Sequence, residues 1–157
     1  MLDLYLSDQI ERKNQGLPPL SLNTEQTASL IELLKKDSAQ DSDLLLSLLE
    51  NRVPAGVDQA AFVKAAFLSD VANNNTHSPY INDDYAIKLL GTMLGGYNVQ
   101  SLIALLKTDK AELASKALSK ITLIFDAFYD VEKLHKDGNS YATNLLKSWA
   151  EAEWFTS

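Results

Sequence analysis

The chain has 157 residues, is 46% hydrophobic, contains no cysteine and carries a formal net charge of −7. That length and apolar content suit one domain, residues 1–157, with a substantial core, and exclude a disordered chain. The absence of cysteine excludes a disulfide, a thiol nucleophile and a cysteine-held zinc or iron–sulfur site in these residues, while the negative charge makes nucleic acid an unexpected partner.

A first helix is predicted over 2–15, stopping at Gly16. Leu17-Pro18-Pro19-Leu20 cannot continue it, because two prolines remove donors and clash with the preceding turn. Asn23 or Thr24 caps a second helix, whose apolar stripe is Leu30, Ile31, Leu33 and Leu34. Asp41, Ser42 or Asp43 caps a third, rich in leucine from Leu44 to Leu49 and ending near Arg52. Asp58 starts a fourth, with Phe62, Val63, Ala66, Phe67 and Val71 as its apolar positions. The polar stretch 73–79 is a loop.

Asn82 or Asp83 caps a fifth helix that runs through Leu94, where Gly95-Gly96 breaks the pattern. A sixth helix carries Leu102, Ile103, Leu105 and Leu106, and a seventh spans 110–119. An apolar continuation with Ile121, Ile124, Phe125 and Phe128 ends near Gly138, and Asn139 or Ser140 opens the last helix. No segment alternates like a strand. The expected fold is all-α: stacked antiparallel helices with short connections. No exact internal repeat marks a solenoid.

Few residues suggest chemistry. His77 sits in the polar loop and His135 near a helix end, far apart in sequence. Asp126 and Asp130 are four apart on one helix face, a pair that more often meets solvent or a cation than a metal. Lys107, Lys110, Lys116 and Lys120 are interrupted by Asp109 and Glu112 and read as a solvated face. No nucleophile–base pair, metal set or phosphate loop is visible, so the chain is expected not to be an enzyme and to hold no cofactor.

Gly95-Gly96-Tyr97-Asn98 stands out, because each glycine costs a helix about 1 kcal/mol against alanine. Its bland reading is a tight helix corner. Its functional reading is a groove wall of backbone amides, Tyr97 and Asn98, facing the helix that carries Asp126, Tyr129 and Asp130. Phe125 and Phe128 read as core. Trp154 and Phe155 form a second candidate surface, at the C-terminal end.

The chain resembles the N-terminal HEAT-like domain of aconitase B, the bacterial bifunctional aconitate hydratase. The resemblance rests on the run from Ala86 to Asn98, on Ala117-Leu118-Ser119, and on Phe125-Asp126-Ala127-Phe128-Tyr129-Asp130. Asn51-Arg52-Val53-Pro54, Phe62-Val63-Lys64-Ala65, Gly138-Asn139 with Tyr141-Ala142, and Ser148-Trp149-Ala150 extend it in order and spacing nearly end to end. It implies a HEAT-like superhelix that packs on catalytic domains, helps form the route to their active site and takes part in dimerisation and protein recognition. The catalytic residues and cluster cysteines of that family lie in later domains, so none transfers to this chain. Gln100-Ser101 and Lys120 stand where the family usually has His-Pro and His. These departures favour a stand-alone paralogue over a piece of a working enzyme.

The expected role is therefore interaction with a protein partner, or with a second copy as a homodimer. Alternatives are a truncated piece of an aconitate hydratase, which in full interconverts citrate and isocitrate, and an RNA-binding regulator. No apolar run is long enough to span a membrane and the N-terminus lacks a basic leader, so the cytoplasm is the expected location.

Overall fold

A computed structural model describes residues 2–37 and 41–152. Among them are nine helices: α1 (Leu2–Asn14), α2 (Thr24–Leu34), α3 (Ser42–Asn51), α4 (Gln59–Ala72), α5 (Asp83–Leu90), α6 (Val99–Leu105), α7 (Ala111–Leu118), α8 (Ala127–Lys136) and α9 (Ser140–Ala150). No strand occurs among the described residues, only a single parallel bridge between Gly95 and Leu123. No helix among them is long and apolar enough to cross a membrane.

Local chemistry sets most helix starts. Asn23, Asp41, Asp58, Asn82 and Asn139 each accept a hydrogen bond from a free amide in the first turn. Asn23 and Gln26 complete a reciprocal capping box. Such a cap is worth about 1 kcal/mol. The two-proline segment folds back along α1: Tyr5 donates its hydroxyl proton to the Leu20 carbonyl at 2.6 Å, and Arg12 Nε donates to Pro18 at 2.9 Å.

The helices pair with sequence neighbours, α4 with α5, α6 with α7 and α8 with α9, and the pairs join through α5–α7 and α7–α9 contacts. Asn139 ties two levels together, since it caps α9 and donates its amide to the Leu106 carbonyl at 2.7 Å. One apolar core runs from Tyr5 to Trp149.

Three expectations change. Helix α5 stops at Leu90 rather than Leu94. The continuation after α7 is not helical until Ala127, because Leu123 pairs with Gly95 and Phe125 takes a φ of +51°. That leaves Phe125 75% and Phe128 44% exposed instead of in the core. Finally, α4 packs against both α2 and α5, so it is buried on more than one side. It encloses Lys64, while Phe62 is half exposed.

Candidate interaction site

The four residues of the glycine corner do different work. Gly95 has a φ of +123°, and a Cβ there would land on the Leu123 carbonyl oxygen and within 2.9 Å of its Cβ. Only glycine permits this approach of two backbones. Gly96, at φ +88°, turns the chain beside Val57, whose Cγ1 would be 3.4 Å from an added Cβ.

Asn98 is fully buried and does not line a groove. Its amide donates to the Leu90 carbonyl at 2.7 Å, a second and shorter bond beside the one from the Met93 N–H at 3.3 Å, at the end of α5. The functional expectation for Asn98 is thus corrected: the side chain is enclosed and its amide is engaged by the backbone at the end of α5. Tyr97 is half-buried. Its ring meets Phe62 edge-on at 5.1 Å, and its hydroxyl donates to the Val57 carbonyl at 3.3 Å. Its ring contact is with α4, not with Tyr129.

The second half of the expected site lies at the start of α8. Asp126 occupies the N-cap position, exposed and without a side-chain capping bond. Asp130 accepts from Gln100 Nε2 at 2.8 Å, so the helix after the corner is tied to α8. Tyr129 is 66% exposed and stands edge-on to Phe128 at 6.0 Å, while Phe128 lies 6.2 Å from the Trp149 ring. Leu94 and Leu123, next to each other through the bridge, are also exposed. The structure therefore brings the two predicted segments together at Gly95–Leu123 and Gln100–Asp130. The exposed surface there is an aromatic and aliphatic strip, with Asn98 enclosed and Tyr97 half-buried against Phe62. Trp154 and Phe155 lie outside the described residues.

The histidines are not brought together: His135 Nδ1 is 2.8 Å from Thr143 Oγ1, a contact between α8 and α9. Among the described residues no cluster of three or more His, Asp or Glu side chains is placed to hold a metal. Asp83 and Asp84 share Lys110, at 2.5 and 3.0 Å. The hydrogen bond from Lys110 holds the Asp83 carboxyl below its ordinary range.

One ionisable group escaped sequence reading. Lys64 is only 4% exposed, and burial pulls its ammonium down to about 8, partly opposed by the Glu50 carboxylate. Tyr85 donates to Glu50, and that bond followed by burial pushes the phenol up to about 12. The only sequence signal for Lys64 was its place among alanines on an apolar helix.

Comparison with known proteins places this architecture. The profile of the Aconitate B N-terminal domain matches residues 4–155. Aconitate hydratase B of Salmonella typhimurium is 51% identical over 158 residues, covering 100% of this chain and 18% of the relative. The protein of the same name from Escherichia coli is 50% identical over 156 residues, with 99% and 18% coverage, and that from Helicobacter pylori 40% over 157, with 98% and 18%. This chain thus spans 18% of the length of these relatives. The expectation that the chain is not an enzyme is corrected here, since these relatives are enzymes by name and the matched stretch is one part of each. By profile and by identity, the chain belongs to the Aconitate B N-terminal domain family.

Proposed function

We propose that residues 1–157 form a HEAT-like docking domain of an aconitate hydratase B-type protein, one that packs on the remainder of such a protein through the strip Leu94, Leu123, Phe125, Phe128 and Tyr129. The observation that carries this reading is the exposure of these five large apolar side chains on the segment beside the bridge partner Gly95, on the connection after α7 and on the first turn of α8. Monomeric surfaces rarely leave a contiguous apolar patch of this kind without a partner. The match to an N-terminal stretch of relatives more than five times longer supplies a candidate for what covers it. Aromatic side chains suit the role, offering large contact area with few rotatable bonds.

The test mixes this chain with the Escherichia coli relative lacking its own matching N-terminal stretch and measures binding by titration calorimetry. Binding weakened at least about tenfold by Phe125→Asp with Tyr129→Ser, the range for interface anchors, supports the reading. Binding indifferent to both substitutions overturns it. Self-association is the second reading, favoured by the same strip. It is supported if the chain alone sediments as a dimer and the same two substitutions make it a monomer.

A further inference from the structure

A separate feature, sharing no residue with the aromatic strip, is the cleft between α5 and α7. Its volume is about 490 Å³, inside the range of about 300–1,000 Å³ typical of small-molecule sites. The floor is apolar and closed. Ile87 and Ala117 are buried there, and Leu113 is half-buried against the core. Gly91 seals it: an added Cβ would stand 2.8 Å from the Ala117 Cβ, so the two helices touch.

The rim is cationic. Lys88, Lys116 and Lys120 surround the opening, in a chain whose net charge is −7. Lys88 stands over the Tyr85 ring, 5.9 Å from its centre, which places its ammonium along the wall. Lys120 has no carboxylate within ion-pair distance among the described residues. Lys116 pairs with Glu112 at 2.7 Å, but both side chains are well exposed, and such a pair is readily exchanged. Asp84, the carboxylate lining the cleft, is engaged by Lys110 at 3.0 Å, which offsets its repulsion of an anion.

We propose that this cleft binds a small organic anion with an apolar body, such as a medium-chain carboxylate: the chain lies on the Ile87–Ala117 floor and the carboxylate meets Lys88 and Lys120. A polyanion is a poor occupant, because a floor without donors would strip water from its oxygens and return nothing. The α5 wall, from residue 84 to the helix end at Leu90, is only about 9 Å long at 1.5 Å per residue, which favours a small molecule over a docked helix.

The experiment titrates the 157-residue chain with octanoate, octan-1-ol and aconitate, and maps backbone amide shifts for each. One octanoate should bind per chain and shift the amides of Lys88, Gly91 and Lys120. Octan-1-ol lacks the charge and aconitate lacks the apolar body; each should bind at least about tenfold more weakly. K88E/K120E should lose octanoate binding by at least about tenfold with an unchanged thermal midpoint, and K88Q/K120Q serves if the charge reversal perturbs folding. The proposal is overturned by absent octanoate binding at millimolar concentration, by shifts centred on the aromatic strip, by binding that survives both double variants, or by octan-1-ol or aconitate binding as tightly as octanoate.

Discussion

The Gly95–Asn98 corner and the 119–126 connection run side by side at one bridge, yet they are built on opposite principles. At the corner, polar and flexible residues are drawn inward. Gly95 gives up a side chain so that two backbones can meet, and Asn98 spends its amide on the last turn of α5. At the connection, Leu123 and Phe125 are turned outward beside the buried Ile121, with Phe125 held at φ +51° and 75% exposed. The corner positions; the connection presents. A residue's polarity predicts its burial only when backbone demands are met elsewhere. Here Asn98 is interior because its amide is engaged by the backbone at the end of α5, and Phe125 is exterior because the backbone beside it is already committed.

The comparison is broken most severely at Gly95. Gly95→Ala should destabilise the fold by about 2–5 kcal/mol, combining a strained positive φ with a backbone collision, as a shift in the urea midpoint at unchanged slope. If the loss is under about 1 kcal/mol, the bridge does not hold the two segments together. Asn98→Ala should cost about 0.5–1.5 kcal/mol, the net worth of one hydrogen bond, because the Leu90 carbonyl keeps its bond from the Met93 N–H at 3.3 Å, and hydrogen exchange should speed up at the last turn of α5. Unaltered exchange there would show that Leu90 does not depend on this amide. The smallest effect belongs to the connection. Phe125→Gly should change stability by about 1 kcal/mol or less, and in the stabilising direction if relief of the left-handed backbone exceeds the added chain entropy. A loss beyond about 2 kcal/mol would mean that the Phe125 ring is part of the core after all.

The parts of the fold that were legible in the sequence are those decided within a few residues. Asn23, Asp41, Asp58, Asn82 and Asn139 mark helix starts because a cap is a contact between near neighbours. Gly95-Gly96 marks a corner because two glycines have no other good use in an apolar run. The break before α8 was not legible. Residues 119–137 contain neither glycine nor proline, and what stops the helix is a partner almost thirty residues away. The burial of Lys64 was hidden likewise, since α4 packs against both α2 and α5 and its solvent face carries Phe62 and Ala66 rather than the lysine. Of the expected site, Asp126, Tyr129 and Asp130 lie at the surface, while Asn98 belongs to the interior for a reason that only the end of α5 reveals.

Lys64 also ties folding to the proton concentration of the medium. Its folded value of about 8 lies below the ordinary 10.5. Below pH 8 both states carry the proton, and the cost of burying the charge is present in full. Between about pH 8 and 10.5 the unfolded chain keeps the proton and the folded one does not, so this residue's contribution to stability improves as pH rises through that window. Tyr5 and Tyr85, whose phenols are raised above 10.0, act in the opposite direction only above pH 10. Calorimetric unfolding enthalpies at pH 9 should therefore depend on the ionisation heat of the buffer, and Lys64→Met should remove that dependence. Equal enthalpies in phosphate-like and amine buffers for the unsubstituted chain would show that the ammonium stays charged inside. In mildly alkaline solution, folding of this domain is an acid-releasing reaction, and a pH indicator can follow it without any spectroscopic label on the protein.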